Sequence, residues 1–352
     1  MTHKMAIIGF GGMAGYHHDN ITRHFPELEI TGIYDIRPEA VLNAQKKGLK
    51  AYDSPDQIYA DKSIELVLVA TPNDMHKPYA IACLESGKNV ISEKPVTLNS
   101  AELEAIIAAA EKAGKFFTVH QNRRWDRDFL IVKKIFADAI LSKPYVIESR
   151  VQGSRIGMHG WRGWKQNGGG MVLDWGVHLI DQMLDFFPQK VIAVSAILHK
   201  VFAPEVDDNF TASFRFENGL NYIVNVAMNS FIVQPRWHIS AEDGTALIEN
   251  WECAGKIVKL TDSKTLEWSE DIVYTAAGPT RSMAPRPKET TLELPLPANV
   301  EGVWLDYYKN IVACLNGQAT PIVKTEQALR VMKLIDLVFL SDEKKHGIEC
   351  CI

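Results

Sequence analysis

Lys94, Asp174 and His178 are the side chains in this sequence whose types and settings best suit proton handling. Asp174 and His178 lie four residues apart, a spacing that sets both on one face of a helix, where they can share one substrate hydroxyl. They follow Asn167-Gly168-Gly169-Gly170; three glycines are expected to let backbone approach a ligand closely, with a helix starting near Leu173. An imidazole exchanges a proton near neutral pH. A core histidine paired with Asp174 is the purely structural alternative. Lys94 stands in Glu93-Lys94-Pro95 directly after the strand expected over 89–92. Pro95 redirects the chain there, so the ammonium can project from a strand end and polarise a carbonyl or acidify a hydroxyl. Taken alone, the charged tripeptide after a strand reads as a solvated turn. No metal site is expected, because Asp174 and His178 lack an evident third ligand and no H-E-x-x-H pattern occurs.

These groups need a scaffold, and residues 4–37 describe one. An apolar strand leads into Gly9-Phe10-Gly11-Gly12-Met13-Ala14, a helical run and a second strand ending at Asp35-Ile36-Arg37. Gly9 permits the sharp exit from the strand, Gly11 removes a Cβ from the path of a pyrophosphate, and Ala14 lets the helix pack closely. The helix N-terminus would face the phosphates. Asp35 suits the hydroxyls of an adenosine ribose and favours NAD, whereas Arg37 suits a 2′-phosphate or stacks on adenine and leaves NADP open.

Beyond Asp35 the pattern alternates. Helices are expected at 38–47, 54–60, 75–86 and 100–113, the last capped by Ser100, and strands at 65–70, 89–92 and 116–120. That alternation implies a doubly wound parallel sheet with ligands at the C-terminal strand ends. Thr71-Pro72-Asn73, with His76 shortly after, sits at such an end. Asn73 there is a candidate cofactor contact, and Asn73 or Asp74 is equally a helix cap.

The rhythm changes after a helix at 126–140. Segments 145–152, 191–199, 210–216, 221–228, 237–241 and 245–250 are rich in β-branched and aromatic residues and read as a large, mostly antiparallel open sheet. Domains of 1–122 and 123–352 are expected, the second also packing helices at 304–316 and 326–340. Its free sheet face would need cover, which points to a homodimer or homotetramer. Residues 276–288 read as a surface loop. The chain has 352 residues, 46% of them hydrophobic, and a net charge of −5 without a basic run. Nothing in that balance supports a nucleic-acid or membrane surface. Five cysteines without C-x-x-C spacing suit a cytoplasmic protein rather than a disulfide frame, with Cys350 and Cys351 in a frayed tail.

Taken together, the 9–14 turn, Thr71-Pro72-Asn73 with His76, Glu93-Lys94-Pro95, Gln121-Asn122-Arg123, the 168–181 stretch, and Gly317 with Pro321 and Val323 resemble the Gfo/Idh/MocA family. The resemblance implies an N-terminal Rossmann domain, a C-terminal α+β domain and an active site between them. It implies NAD(P)-dependent interconversion of a secondary hydroxyl and a ketone on a sugar or cyclitol. His178 would be the general base, Lys94 would orient and polarise the hydroxyl, and Asp174 would hold a neighbouring hydroxyl or the imidazole. Glu93 and Gln121 would lie near the nicotinamide ribose. The run 120–126 looks like that of scyllo-inositol dehydrogenases, placing Asn122 and Arg123 among substrate contacts. Trp161 and Trp164 are candidates to stack on a pyranose or close over it. Two other functions fit less well: a glycosidase or lyase working through tightly held NAD, and a non-catalytic dinucleotide sensor.

Overall fold

A computed structural model describes residues 2–261, 271–282 and 290–352. Strands β1 (His3–Ile8), β2 (Leu28–Tyr34), β3 (Lys50–Ala51), β4 (Leu66–Val69), β5 (Asn89–Ser92) and β6 (Phe117–Val119) alternate with helices α1 (Gly12–His24), α2 (Pro38–Lys46), α3 (Pro55–Ala60), α4 (His76–Glu85) and α5 (Ser100–Ala113). The strands form one parallel sheet in the order β3-β2-β1-β4-β5-β6. Met5 to Ile8 and Leu66 to Val69 are wholly buried, as continuous apolar runs must be when helices cover both faces of a sheet. The polarity switch falls between β1 and β4, so the ends of both strands open at the crevice where a dinucleotide-binding sheet receives its ligand. The side chain of Asn99, rather than Ser100, caps α5, accepting from the Glu102 N–H at 2.9 Å.

Helix α6 (Arg127–Ala137) leads to β7 (Pro144–Gln152), and α7 (Val177–Phe186) to β8 (Val191–His199), β9 (Asn209–Phe216), β10 (Asn221–Ala227), β11 (Trp237–Ala241), β12 (Gly244–Ile248) and β13 (Gly255–Leu260). A hairpin, β14 (Asp271–Thr275) and β15 (Gly278–Ser282), then β16 (Thr291–Pro295), α8 (Leu305–Leu315), α9 (Thr325–Lys344) and β17 (Ile348–Glu349) complete the chain. The second sheet runs β16-β13-β12-β11-β7-β10-β9-β8-β17 and is antiparallel except where β7 meets β10. Alternate residues of β9 and β10 are buried, Phe210, Ala212 and Phe214 opposite Tyr222, Val224 and Val226. The residues between them form a polar ladder on the opposite face, with Asn225 donating to Thr211 at 2.8 Å and Ser213 to Asn221 at 2.6 Å.

Two expectations fail here. The loop expected over 276–288 contains strand β15, while residues 283–289 lie outside the described residues. The C-terminal tail is not frayed, because β17 pairs with β8 and the N–H of Val191 donates to the carbonyl of Ile352 at 2.7 Å.

Helix α9 joins the halves. Val331, Leu334, Ile335 and Val338 on it are buried, and it lies against α5 and β6 of the first region and α7 and β8 of the second.

Candidate active site

At the end of the crevice expected to hold adenosine, the turn after β1 has the geometry the sequence suggests. Gly9 has φ +88°, and a Cβ there would stand 2.6 Å from the carbonyl oxygen of Ala70, so only glycine permits β1 and β4 to lie this close. Around Gly11 the space is open, its nearest neighbour being the Arg37 guanidinium at 3.8 Å. Helix α1 starts at Gly12 with no side-chain cap, leaving its first N–H groups for an anion. Met13 is 39% exposed at this turn and Ala14 is buried beneath it. Asp35 accepts from the Phe10 N–H at 2.7 Å and from Arg37 Nε and Nη2 at 3.1 and 2.9 Å. Burial pushes the Asp35 carboxyl up, but Arg37 and the two backbone donors outweigh that and hold it low. Arg37 thus covers the carboxylate that a ribose would use, and Ile36 points into solvent.

At the other end of the crevice lies a buried polar cluster. Glu93 Oε1 accepts from His17 Nε2 at 2.6 Å and from His120 Nδ1 at 2.9 Å, and Oε2 accepts from the Lys94 N–H at 3.2 Å. Because the Glu93 carboxylate can only accept at Nε2, a neutral His17 carries its proton there and presents the Nδ1 lone pair to the Tyr308 hydroxyl. Burial alone would raise Glu93; the two imidazoles hold it well below the usual carboxylate range. Burial, helped by His120, lowers His17. Sequence gave no metal ligand set, yet the fold brings ligand atoms of His17, Glu93 and His120 within 4.8 Å of one another. Their hydrogen bonds already pair them. Beside them Gln121 Oε1 and Thr71 Oγ1 are buried without partners, polar atoms of the kind a nicotinamide or its ribose would satisfy.

His76, expected to touch the cofactor, stands behind the site. Its ring is wholly buried, with Nδ1 2.8 Å from the Pro95 carbonyl and Nε2 2.9 Å from that of Thr71. It ties the β4 and β5 exits together, and Pro72 directs the first of them. Neither Asn73 nor Asp74 caps a helix. Asn73 donates to the Gly168 carbonyl at 2.7 Å and Asp74 accepts from Asn167 at 3.1 Å, so both clasp the second region.

Of the three residues expected to handle protons, Lys94 and Asp174 meet, and the Lys94 charge acts on His178. Lys94 Nζ donates to the Asp174 main-chain carbonyl at 2.8 Å and to Oδ1 at 3.0 Å. Burial works against the Asp174 charge, but Lys94 and the nearby Arg162 and Arg123 hold its carboxyl low. His178 is 3% exposed, and its Nδ1 is buried without a partner. Burial first, then the charges of Lys94 and Arg123, hold its imidazole well below the ordinary histidine value. The ring is therefore neutral at physiological pH, with a free lone pair for a proton. Asp174 and His178 do not lie on an ordinary helical face, because residues Val172–Gly176 form a π-helical turn ahead of α7. Within that wider turn Asp174 faces Lys94 rather than His178.

The glycine run serves packing, not ligand approach. A Cβ would meet Leu98 Cδ2 at 2.2 Å from Gly168, the Arg162 carbonyl at 2.1 Å from Gly169 and Asp207 Oδ1 at 2.3 Å from Gly170. Asp207 accepts from the Val172 N–H at 2.7 Å and so caps the π turn; burial pushes its carboxyl up to about 6.

A cavity of about 750 Å³ opens beside Asp174, lined by Arg123, Met158, Arg162, Trp175 and Trp251 among others. Arg123 lies 4.3 Å above the Trp175 ring and 5.6 Å from that of Trp251. Trp161 and Trp164, expected to stack on substrate, do not line it. Arg162 lies over Trp161 at 4.6 Å, and Trp164 is 51% exposed. Asn122 begins the short helical turn carrying Arg123. Sequence reasoning missed Trp251, which follows β12 in a turn without a motif, and missed His17 and Tyr308, which only the fold brings to Glu93.

Comparison with known proteins agrees with this architecture. Residues 3–121 match the oxidoreductase family with an NAD-binding Rossmann fold, and residues 129–247 match the GFO/IDH/MocA C-terminal domain. An NAD-binding protein from Listeria innocua is 42% identical, covers 99% of each chain and superposes with a TM-score of 0.93. The NADP-dependent scyllo-inositol 2-dehydrogenase of Bacillus subtilis is 27% identical over 99% of this chain and 96% of its own length. Myo-inositol 2-dehydrogenase of Thermotoga maritima is 30% identical over 41% of this chain and 43% of its own. The chain belongs to the Gfo/Idh/MocA oxidoreductase family and is an NAD-binding enzyme of that class. No helix among the described residues is long and apolar enough to cross a membrane.

Proposed function

We propose that the enzyme interconverts a secondary hydroxyl and a ketone on a sugar or cyclitol, with residues 1–122 holding the dinucleotide and 123–352 the substrate. The observation that carries this reading is the buried, unpartnered Nδ1 of His178 close to the Lys94–Asp174 pair, whose Asp174 lines a cavity of about 750 Å³. The Gly9–Ala14 turn and the N-terminus of α1 would hold the pyrophosphate, Asp35 and Arg37 the adenosine, and Thr71, Glu93 and Gln121 the nicotinamide end. When bound, the nicotinamide supplies the hydride acceptor in one direction and the donor in the other. His178 takes the hydroxyl proton as the carbon is oxidised and returns it in reduction, while Lys94 donates to the same oxygen and stabilises its developing negative charge. Asp174 keeps the ammonium in place.

Arg37 over Asp35 suits both coenzymes: a ribose hydroxyl can displace the guanidinium from Asp35, and a 2′-phosphate can pair with it. The test is a screen of NAD and NADP against sugars, inositols and glycosides, read by absorbance of the reduced nicotinamide. Lys94→Ala and His178→Ala should lose turnover and keep dinucleotide binding. Full turnover in both would remove them from the mechanism. Glycoside cleavage without net NADH would favour the lyase alternative.

The polar ladder on the free face of the second sheet, with Phe231, Ile232 and Val233 exposed beside it, supports association of copies of this chain there, in the cytoplasm that its thiols suit. A monomer in sedimentation velocity at micromolar concentration would argue against it.

A further inference from the structure

The cavity carries more positive charge than hydride chemistry on a neutral polyol requires. Arg123, Arg155 and Arg162 line it, and Asp174 is the one carboxylate among the described lining residues. Asp174 is already paired with Lys94 at 3.0 Å, and Arg123 with Asp126 at 3.0 Å. Two guanidiniums remain in excess. Among the described carboxylates Arg162 reaches only the occupied Asp174, Nε to Oδ1 at 3.8 Å, and Arg155 forms no ion pair among the described residues. Arg123 adds a further donor, since its Nε is buried with no hydrogen-bond partner. Guanidinium groups stay charged across the physiological range, and their planar fork matches a carboxylate or phosphate.

We propose that the substrate is an anionic polyol, a sugar or cyclitol bearing a carboxylate or phosphate, with its anion seated by Arg155 and Arg162. The proposal rests on the dehydrogenase reading of the same cavity and deepens it. The carbon skeleton lies against Trp175, Trp251 and Met228, and the reacting hydroxyl faces Lys94 and His178. The anion lies at the arginine wall. A neutral ring would leave Arg155 without an ionic partner and Arg162 with only the 3.8 Å approach to Asp174 and the Trp161 face, whereas an oxyanion gains charge-assisted bonds worth roughly tenfold to a hundredfold in affinity.

The test is isothermal titration calorimetry on the full chain, with and without NAD, using gluconate, glucuronate and glucose 6-phosphate against glucose and myo-inositol, with inorganic phosphate as the bare-anion control. The expected result is at least one anionic polyol bound tenfold or more tightly than its neutral counterpart, with affinity that falls as sodium chloride is raised. The Arg155→Gln/Arg162→Gln double variant should lose that advantage while its melting temperature stays unchanged, since both side chains are exposed. Preference for the carboxylates or for the phosphate tells which anion is read. Equal affinity for charged and neutral polyols, no binding by any anionic polyol, or an advantage that survives the double substitution would overturn the proposal. Inorganic phosphate bound as tightly as the phosphorylated sugar would do the same. Selective binding without NADH formation would leave the anion seat standing and remove the dehydrogenase reading, so the two fail separately.

Discussion

Asp174→Asn isolates the charge of Asp174 while keeping its shape and an Oδ1 acceptor. In the native site Lys94 Nζ lies 3.0 Å from Asp174 Oδ1 with the two side chains 18% and 22% exposed. At an effective dielectric constant of about 20, unit charges at that distance attract by roughly 5–6 kcal/mol before desolvation is subtracted. Net of desolvation, a hydrogen bond between charged groups retains about 1.5–3 kcal/mol. The main-chain carbonyl of residue 174, 2.8 Å from Nζ, still accepts in the variant, so Lys94 loosens instead of leaving. If that energy holds the ammonium where the substrate oxygen is polarised, kcat/KM falls by about tenfold to a hundredfold. Steady-state kinetics on the best substrate from the coenzyme screen measures this, with dinucleotide affinity followed by fluorescence as a control. Affinity should stay within about twofold, because Asp174 belongs to the second region. A kcat/KM within about twofold of the parent, in a protein with an unchanged melting temperature, would refute the reasoning.

His178→Gln should lower kcat by about a hundredfold to ten-thousandfold, the usual worth of a positioned base. Because burial, Lys94 and Arg123 depress the His178 imidazole, the acid limb of the parent's kcat/KM profile should lie well below pH 6.5, and a limb at or above 6.5 would contradict that environment. The same depression means that the neutral buried ring contributes its full stability above pH 6.5 and loses it as pH falls, since the unfolded imidazole takes up the proton first. Arg124→Met should cost about 3–5 kcal/mol, measured by urea unfolding, because it strips both 2.7 Å bonds from the buried Asp181 on α7; a loss under about 1 kcal/mol would show that the pair does not brace this helix. Arg37→Ala should weaken NADP binding relative to NAD by about tenfold or more by removing the guanidinium paired with Asp35, and an unchanged ratio in dual-coenzyme titrations would place the 2′-phosphate elsewhere.

The coenzyme end was legible in the chain because its chemistry is local. Gly9 and Gly11 stand where a strand must give way to a helix, and Asp35 ends the next strand, so chain direction and steric size alone prescribe their places. Lys94 was legible for the same reason, a proline forcing the exit beside it. Strands β7 to β12 announced themselves by alternation, as in β9 and β10, but β13 to β17 did not; the two-residue β17 and the Pro-containing β15 carry too little pattern. The glycine run misled because a residue without a side chain looks alike whether a ligand or Leu98, the Arg162 carbonyl and Asp207 fills the space beside it.

Sequence by itself determined the dinucleotide scaffold and most of the open second sheet, and it singled out Lys94, Asp174 and His178 as candidates for proton handling. Each follows from rules acting over one strand or one helical turn. Only the tertiary structure decided that Asp174 answers to Lys94 and not to His178, that His17 and Tyr308 hold Glu93, and that Trp175 and Trp251 rather than Trp161 and Trp164 wall the cavity. Those pairings join residues as far apart as His17 and Tyr308, and they exist because burial makes an unpaired polar group costly, so each group takes whichever partner the packed core sets beside it.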